Sequence, residues 1–416
     1  MAQLPYTDPE TADPVMKAVF EQTVKRFQMR LNIISIMGNA PEVGSRMIQI
    51  YFDILQDGAV DWATKELAIL KATKMGDCLY CVTQHEVVSE RLGVSPEKQA
   101  DIVGLQYRVS PHYSERERAL LDLTSQVVLD PEQITPESWT NVREHFDDAQ
   151  IVEIVATIGA YLQISKFGDA MGVELEPVFQ GRPSVLFDRS RQSLSREPAT
   201  SSTTWVRPST RRGTMPAVQL LEKERAEPAV ADVFEAAERH FGHVPNLVKA
   251  LANNPALCRS ITDFMIVGLR PGRVDWGLKE LLILKTLRVM KSYYSYGAHE
   301  KLAVELGVPE AKIGDLANSL WRTSPRFNEG ERVMLEFAEQ VARDANDVHD
   351  ELWQRMKAHW DSGQLLEMNA VITTFIQIGR IGDTLGVCDA VLFTKEVTSG
   401  SSIGSGLASP QRPCSH

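Results

Sequence analysis

Four residues in the first quarter of the chain have types and spacings suited to chemistry. Glu66 is followed, after eleven intervening residues, by Cys78-Leu79-Tyr80-Cys81, and His85 stands four places beyond Cys81. On a helix, Cys78 and Cys81 are i,i+3 neighbours on one face, near enough to form or exchange a disulfide. His85 is i+4 from Cys81, so its imidazole can reach that sulfur. Gly76-Asp77 reads as a helix stop followed by an N-cap residue, which puts Cys78 at the first position of a new helix. Unpaired N–H groups and the helix dipole there favour a thiolate over a thiol. If the chain folds back at Gly76, the Glu66 carboxylate reaches the imidazole or a bridging water. The result would be a two-cysteine redox centre with a proton relay. The same residues admit other readings. Cys78, Cys81, His85 and Glu66 nominally make up a zinc ligand set, but three of them within eight positions on one helix give an awkward tetrahedron. The cysteines could also be buried structural residues. Haem attachment is excluded, because Val82 stands where it needs His.

The elements that must position these residues are helices. Leu67, Ile69, Leu70 and Ala72 with flanking lysines fit a largely buried helix over 65–74. Ser114 through Glu117, followed by Ala119, Leu120, Leu121 and Leu123, is a capping box opening an amphipathic helix. Segments 14–29, 41–56, 79–92, 96–106, 136–146 and 148–166 also read as helices, and strand-like alternation is scarce. The expected fold class is all-α.

The chain also repeats itself. GAVDWATKELAILK begins at Gly58 and GRVDWGLKELLILK at Gly272, 214 positions on, with ten of fourteen residues identical. The same shift carries Pro14 to Pro228, Asn32 to Asn246, Trp62 to Trp276, His85 to His299, Trp139 to Trp353 and Gly168-Asp169 to Gly382-Asp383. An ungapped correspondence of this length predicts two homologous domains, 1–187 and 215–395. The intervening 188–214 is rich in Ser, Thr, Arg and Pro and reads as a flexible linker, and 396–416 as a disordered Gly/Ser tail. In the second repeat Glu280 and His299 persist, but Ser292 and Ser295 replace the cysteines and Met290-Lys291 replaces Gly76-Asp77. Dithiol chemistry is therefore ruled out there, and the helix break and cap are expected to change. Ser295, His299 and Glu280 superficially resemble a hydrolase triad, but a helix-borne serine lacks the strained elbow and oxyanion hole of such enzymes. The second repeat is expected to be a packing partner, replacing a neighbouring subunit, with a vestigial site. Trp62 and Trp276 are assigned to packing, and Cys258 and Cys388 are expected to be inert.

Composition narrows the class. Over 416 residues, 44 Lys+Arg against 55 Asp+Glu give a net charge of −11, which argues against nucleic-acid binding and against an anionic membrane surface. A hydrophobic fraction of 43% with 24% charged residues is that of a soluble globular protein. No stretch reads as approaching the roughly 18 apolar residues of a membrane span, and Met1 to Asp8 show no secretory leader. Five scattered cysteines do not make a secreted disulfide scaffold, so a reducing, cytoplasmic setting is expected.

The pattern Glu66-x11-Cys78-x2-Cys81-x3-His85 in a helical domain resembles the alkylhydroperoxidase AhpD and carboxymuconolactone decarboxylase superfamily. The resemblance implies two AhpD-like helical bundles in tandem and a thiol-dependent hydroperoxide reductase or disulfide oxidoreductase. It implies that Cys81 attacks the hydroperoxide and passes through a sulfenic acid, that Cys78 resolves it as a disulfide, and that His85 and Glu66 shuttle protons. It further implies no tightly bound cofactor, an external lipoamide-like dithiol or a peroxiredoxin as redox partner, and a homo-oligomer (a trimer of tandem chains or a dimer). Tyr80 stands where some members carry His. Two alternatives remain from the sequence. One is a decarboxylase-like lyase acting on a small carboxylic acid through Glu66 and His85, a pair both repeats keep. The other is a non-catalytic, redox-sensing assembly protein.

Overall fold

A computed structural model of the chain describes residues 1–187, 216–292, 294–387 and 389. The expected linker 188–214 and the tail 396–416 lie outside the described residues, as do Cys388 and Cys414. Among the described residues the secondary structure is helical throughout. The first half runs α1 (Pro14–Phe27), α2 (Asn32–Met37), α3 (Pro41–Ile54), α4 (Trp62–Met75), α5 (Leu79–Arg91), α6 (Pro96–Ala100), α7 (Glu115–Leu129), α8 (Pro136–His145) and α9 (Asp148–Ala170). The second half runs α10 (Ala231–Phe241), α11 (Asn246–Leu251), α12 (Pro255–Gly268), α13 (Trp276–Val289), α14 (Tyr296–Glu305), α15 (Glu310–Ala317), α16 (Glu329–Arg343), α17 (Asp350–Lys357) and α18 (Ser362–Leu385). The elements follow one another in the same order, with α3 and α12, α4 and α13, and α9 and α18 in matching places 214 residues apart.

Local chemistry accounts for the helix starts. Asp61 caps α4 by accepting the Thr64 N–H, and Asp275 does the same for α13. The capping box expected at Ser114 and Glu117 is present, and so is its counterpart at Asn328 and Glu331. Two boundaries differ from expectation. The helix read as 96–106 stops at Ala100 and continues only as a 3-10 turn, Gln106–Arg108. The helix read as ending near 166 runs on to Ala170, a further turn that carries Asp169.

The core centres on α9 and α18, which are buried on nearly every face and pack along each other, while α3 packs along α12. Close approach of the two long helices depends on Gly159, where a Cβ would lie 3.1 Å from Ile381 Cγ1 and 3.2 Å from the Gln377 carbonyl. By length and composition α9 could cross a membrane, contrary to the sequence expectation, but 94% of its most apolar window is buried inside the protein. Polar bonds cross between the halves: Gln163 Nε2 donates to Thr374 Oγ1 at 3.1 Å and Trp353 Nε1 to the Ala170 carbonyl at 3.0 Å. In each half one buried ion pair ties the site-bearing helix to the long one, Lys65 with Glu153 and Lys279 with Glu367.

Candidate active site

The site is built on the reversal between α4 and α5. Asp77 N–H bonds the Lys74 carbonyl and Cys78 N–H the Thr73 carbonyl, both at 3.1 Å, with Asp77 left-handed at φ 57°. This is the Schellman closure, here with Asp rather than Gly in the left-handed position. Sequence reasoning made Asp77 the cap of α5 and Cys78 its first helical residue; the structure corrects this. Asp77 is used to turn the chain, so Cys78, in an extended conformation, becomes the N-cap. Its Sγ accepts the Cys81 N–H at 3.4 Å. The expectation of a favoured Cys78 thiolate is overturned with it. Complete burial pushes the Cys78 thiol well above its ordinary range, outweighing the N–H it receives.

Because α5 runs back along α4, His85 meets Glu66. The imidazole Nδ1 lies 2.8 Å from Glu66 Oε2, and Glu66 Oε1 accepts the Trp62 indole N–H at 2.7 Å. Both oxygens of this fully buried carboxylate are therefore held. Trp62, which the sequence assigns to packing, also donates to this carboxylate. The His85 imidazole makes no hydrogen bond to the Cys81 sulfur; its ring meets Tyr161 edge-on, 4.8 Å between centroids. The two cysteines face each other within hydrogen-bonding reach and are free thiols.

The remaining neighbours come from α9 and α3. Ser165 Oγ donates to Cys81 Sγ at 3.5 Å, and Asp169, one turn on, faces the Cys78 thiol. Tyr161 stacks edge-on against Tyr51, whose hydroxyl donates to the Ala160 carbonyl at 2.9 Å. Burial raises both phenols far above their ordinary range, with the nearby Cys81 adding to each. Tyr80 lies between the cysteines in sequence but points elsewhere, donating to Glu176 Oε1 at 2.7 Å. Sequence reasoning missed Ser165, Tyr161, Tyr51 and Asp169 as site residues. Two signals were available: Trp-x3-Glu recurs at Trp276 and Glu280, and Gly168-Asp169 recurs at Gly382-Asp383. Ser165 left none.

In the second half the carboxylate–imidazole unit is rebuilt, with His299 Nδ1 2.7 Å from Glu280 Oε2 and Trp276 Nε1 donating to Glu280 Oε1 at 3.1 Å. The helix break expected to change there does not: Ser292 N–H bonds the Leu287 carbonyl at 2.8 Å, with Lys291 left-handed at φ 52°. What changes is the next turn. α14 starts only at Tyr296, and Ser295, left-handed, accepts the Asp389 N–H at 3.3 Å. The Ser295 hydroxyl makes no hydrogen bond to the His299 imidazole, which bonds Glu280 instead, so no nucleophile–base pair forms. The surroundings of the first half's thiols are also replaced, with Gly379 for Ser165, Phe375 for Tyr161 and Met265 for Tyr51. Cys258 is buried and its thiol is pushed up to about 12, in keeping with an inert residue. Among the described residues no three His, Cys, Asp or Glu side chains converge on a metal position.

Residues 41–126 match the carboxymuconolactone decarboxylase family, a span that takes in Glu66, both cysteines and His85 and stops short of α9. Within residues 41–126 the first half of this chain is therefore similar to that family. The uncharacterized protein YdfG of Bacillus subtilis (strain 168) is 27% identical over 134 residues, 32% of this chain and 89% of that protein. YnjA of Escherichia coli (strain K12), also uncharacterized, is 42% identical over 57 residues, 14% of this chain and 31% of that protein. Among solved structures, an uncharacterized peroxidase-related protein with an alkylhydroperoxidase AhpD core from Ralstonia eutropha JMP134 is similar at 17% identity. The match covers 43% of this chain and 94% of that one, with a TM-score of 0.39.

Proposed function

We propose that the chain is a thiol-dependent hydroperoxide reductase, with Cys81 and Cys78 as the redox pair and Glu66–His85 as the proton relay. The observation that carries this reading is the placement of Cys81. It sits beside a second thiol and a Ser165 hydroxyl donor, on the helix whose next turn presents an imidazole fixed by a buried carboxylate. In the first step the Cys81 thiolate attacks a hydroperoxide oxygen and the O–O bond breaks, giving a sulfenic acid and an alcohol. The thiol proton reaches the departing alkoxide through His85. Glu66 holds Nδ1, so Nε2 is the nitrogen that takes and returns the proton. In the second step Cys78 attacks the sulfenic sulfur, releasing water and forming the disulfide. An external dithiol of the lipoamide kind, or a partner peroxiredoxin, then returns both thiols. No tightly bound cofactor enters this cycle. We read the matched halves as a duplication, boundaries near 187 and 215, in which the second half lost its sulfur and serves as packing partner; assembly of such chains into a homo-oligomer is part of the same proposal.

A lyase reading is favoured by one specific observation: the Trp–Glu–His unit is kept with the same bonds in both halves, with or without sulfur. One experiment separates the two. Free thiols are titrated before and after one equivalent of cumene hydroperoxide, in the wild type, Cys81→Ser and Cys78→Ser/Cys81→Ser. The peroxidase reading expects two thiols lost per chain with peroxide consumed, and neither in the variants. Unchanged wild-type thiols with no peroxide loss would end it, and turnover of a small lactone acid by the double variant would establish the lyase.

A further inference from the structure

The second step leaves a proton without an obvious acceptor. Cys78 is completely buried, so bulk water cannot take the proton as its sulfur attacks, and Glu66 and His85 bond each other on the Cys81 side of the pair. The groups around the Cys78 thiol are the Cys81 N–H, the Cys81 sulfur and the Asp169 carboxyl. Of these only the carboxylate accepts a proton. Asp169 is placed by the last turn of α9, one turn beyond Ser165, so the same helix face supplies the hydroxyl for Cys81 and the acid for Cys78. In the second half, where Ser292 replaces Cys78, the matching Asp383 accepts the Tyr294 N–H at 3.0 Å. That carboxylate is used to hold backbone, whereas in the first half it faces a thiol.

We propose, resting on the peroxidase reading above, that Asp169 is the general base of the resolving step, taking the proton from Cys78 as its sulfur attacks the Cys81 sulfenic acid. The Cys78–Cys81 bond forms, the sulfenic S–O bond breaks, and the departing hydroxide takes from Asp169 the proton that came from Cys78, leaving as water. Burial and the facing thiol hold the Asp169 carboxyl well above the usual carboxylate range, which strengthens it as a base. The groups that face it are Cys78 at the start of α5, Lys166 on its own helix, and Asp344 from the second half. Lys166 donates to the Val341 and Arg343 carbonyls at 3.3 Å each, and Asn346 Nδ2 reaches the Asp77 carbonyl at 3.5 Å. The loop 344–346 of the second half thus forms one wall of the first half's dithiol.

The test is rapid-quench mass spectrometry of Asp169→Asn after one equivalent of cumene hydroperoxide, with dimedone as the sulfenic-acid trap. Expected is a Cys81 sulfenic acid whose conversion to disulfide is slowed about 10²-fold or more against the wild type. In parallel, 2-hydroxyethyl disulfide replaces the peroxide. Cys81 then forms a mixed disulfide, and its resolution needs the same deprotonation of Cys78, so the variant must accumulate that adduct too. Wild-type resolution rates in Asp169→Asn with both oxidants overturn the proposal. A wild type inert to peroxide but resolving the mixed disulfide overturns only the peroxidase reading. Should Asp169→Asn not fold, Lys166→Met decides. Removing the cation beside the carboxylate raises its pKa, so the rising limb of the resolution rate against pH must move to higher pH; an unmoved limb overturns the proposal.

Discussion

Replacing Glu66 by glutamine tests whether the relay acts through the tautomer of His85. In the wild type the carboxylate accepts twice, from the Trp62 indole at 2.7 Å and from His85 Nδ1–H at 2.8 Å, so that in the neutral imidazole Nε2 is the nitrogen free to act as a base. An indole only donates, so in Glu66→Gln the side-chain amide must turn its oxygen to Trp62 and its NH2 group to His85. Nδ1 then becomes the acceptor and the ring proton moves to Nε2, where it blocks proton uptake. The charge-assisted bond to the imidazole is lost as well. The expected loss in the first step is roughly 10²–10⁴-fold, the range for a positioned acid–base group, or about 2.7–5.4 kcal/mol of barrier. His85→Gln should fall in the same range, and the double variant should lose no more than the worse single one, because the pair works as a unit. The assay is single-turnover stopped flow with cumene hydroperoxide, read by thiol titration. The predicted fold-change holds for a folded protein, checked by thermal melting. A Glu66→Gln rate within about threefold of wild type, against the range expected of an acid–base group, refutes the relay.

Two further outcomes follow from buried charges. Lys65→Met leaves the Glu153 carboxylate inside the protein with only the Val60 N–H at 3.0 Å and the Asn254 amide at 3.2 Å; urea unfolding should show a loss of about 3–5 kcal/mol, largely recovered in Lys65→Met/Glu153→Met, and a loss under about 1 kcal/mol would contradict it. Lys166 is lowered by burial to about 8, so between about pH 8 and the ordinary lysine value the unfolded chain binds the proton that the folded chain has released. Stability contributed by this group must therefore rise with pH across that window, by at most about 1.4 kcal/mol per pH unit. The difference in unfolding free energy between wild type and Lys166→Met should climb from about pH 8 to about pH 10, and a flat difference would show that the amine titrates as in water.

Much of the site was readable in the sequence because its first parts are local. Cys78, Cys81 and His85 stand three and four residues apart, where helical spacing alone groups side chains on one face; Trp62 and Glu66 share that spacing, but the sequence assigns Trp62 to packing. Helices of the two halves start at positions related by the 214-residue shift that the sequence carries, as at Pro41 and Pro255 or Trp62 and Trp276. Tertiary structure decided the rest. Asp77 took the left-handed position that reverses the chain, which moved the cap to Cys78, and burial rather than the helix terminus set the direction of that thiol's acidity. Ser165, Tyr161 and Asp169 reach the site from distant positions in the chain, brought there only when α9 docks against α4 and α5. Helical spacing is a property of neighbours along the chain, and it carries no information about which distant turn packs against it or how much water that packing excludes.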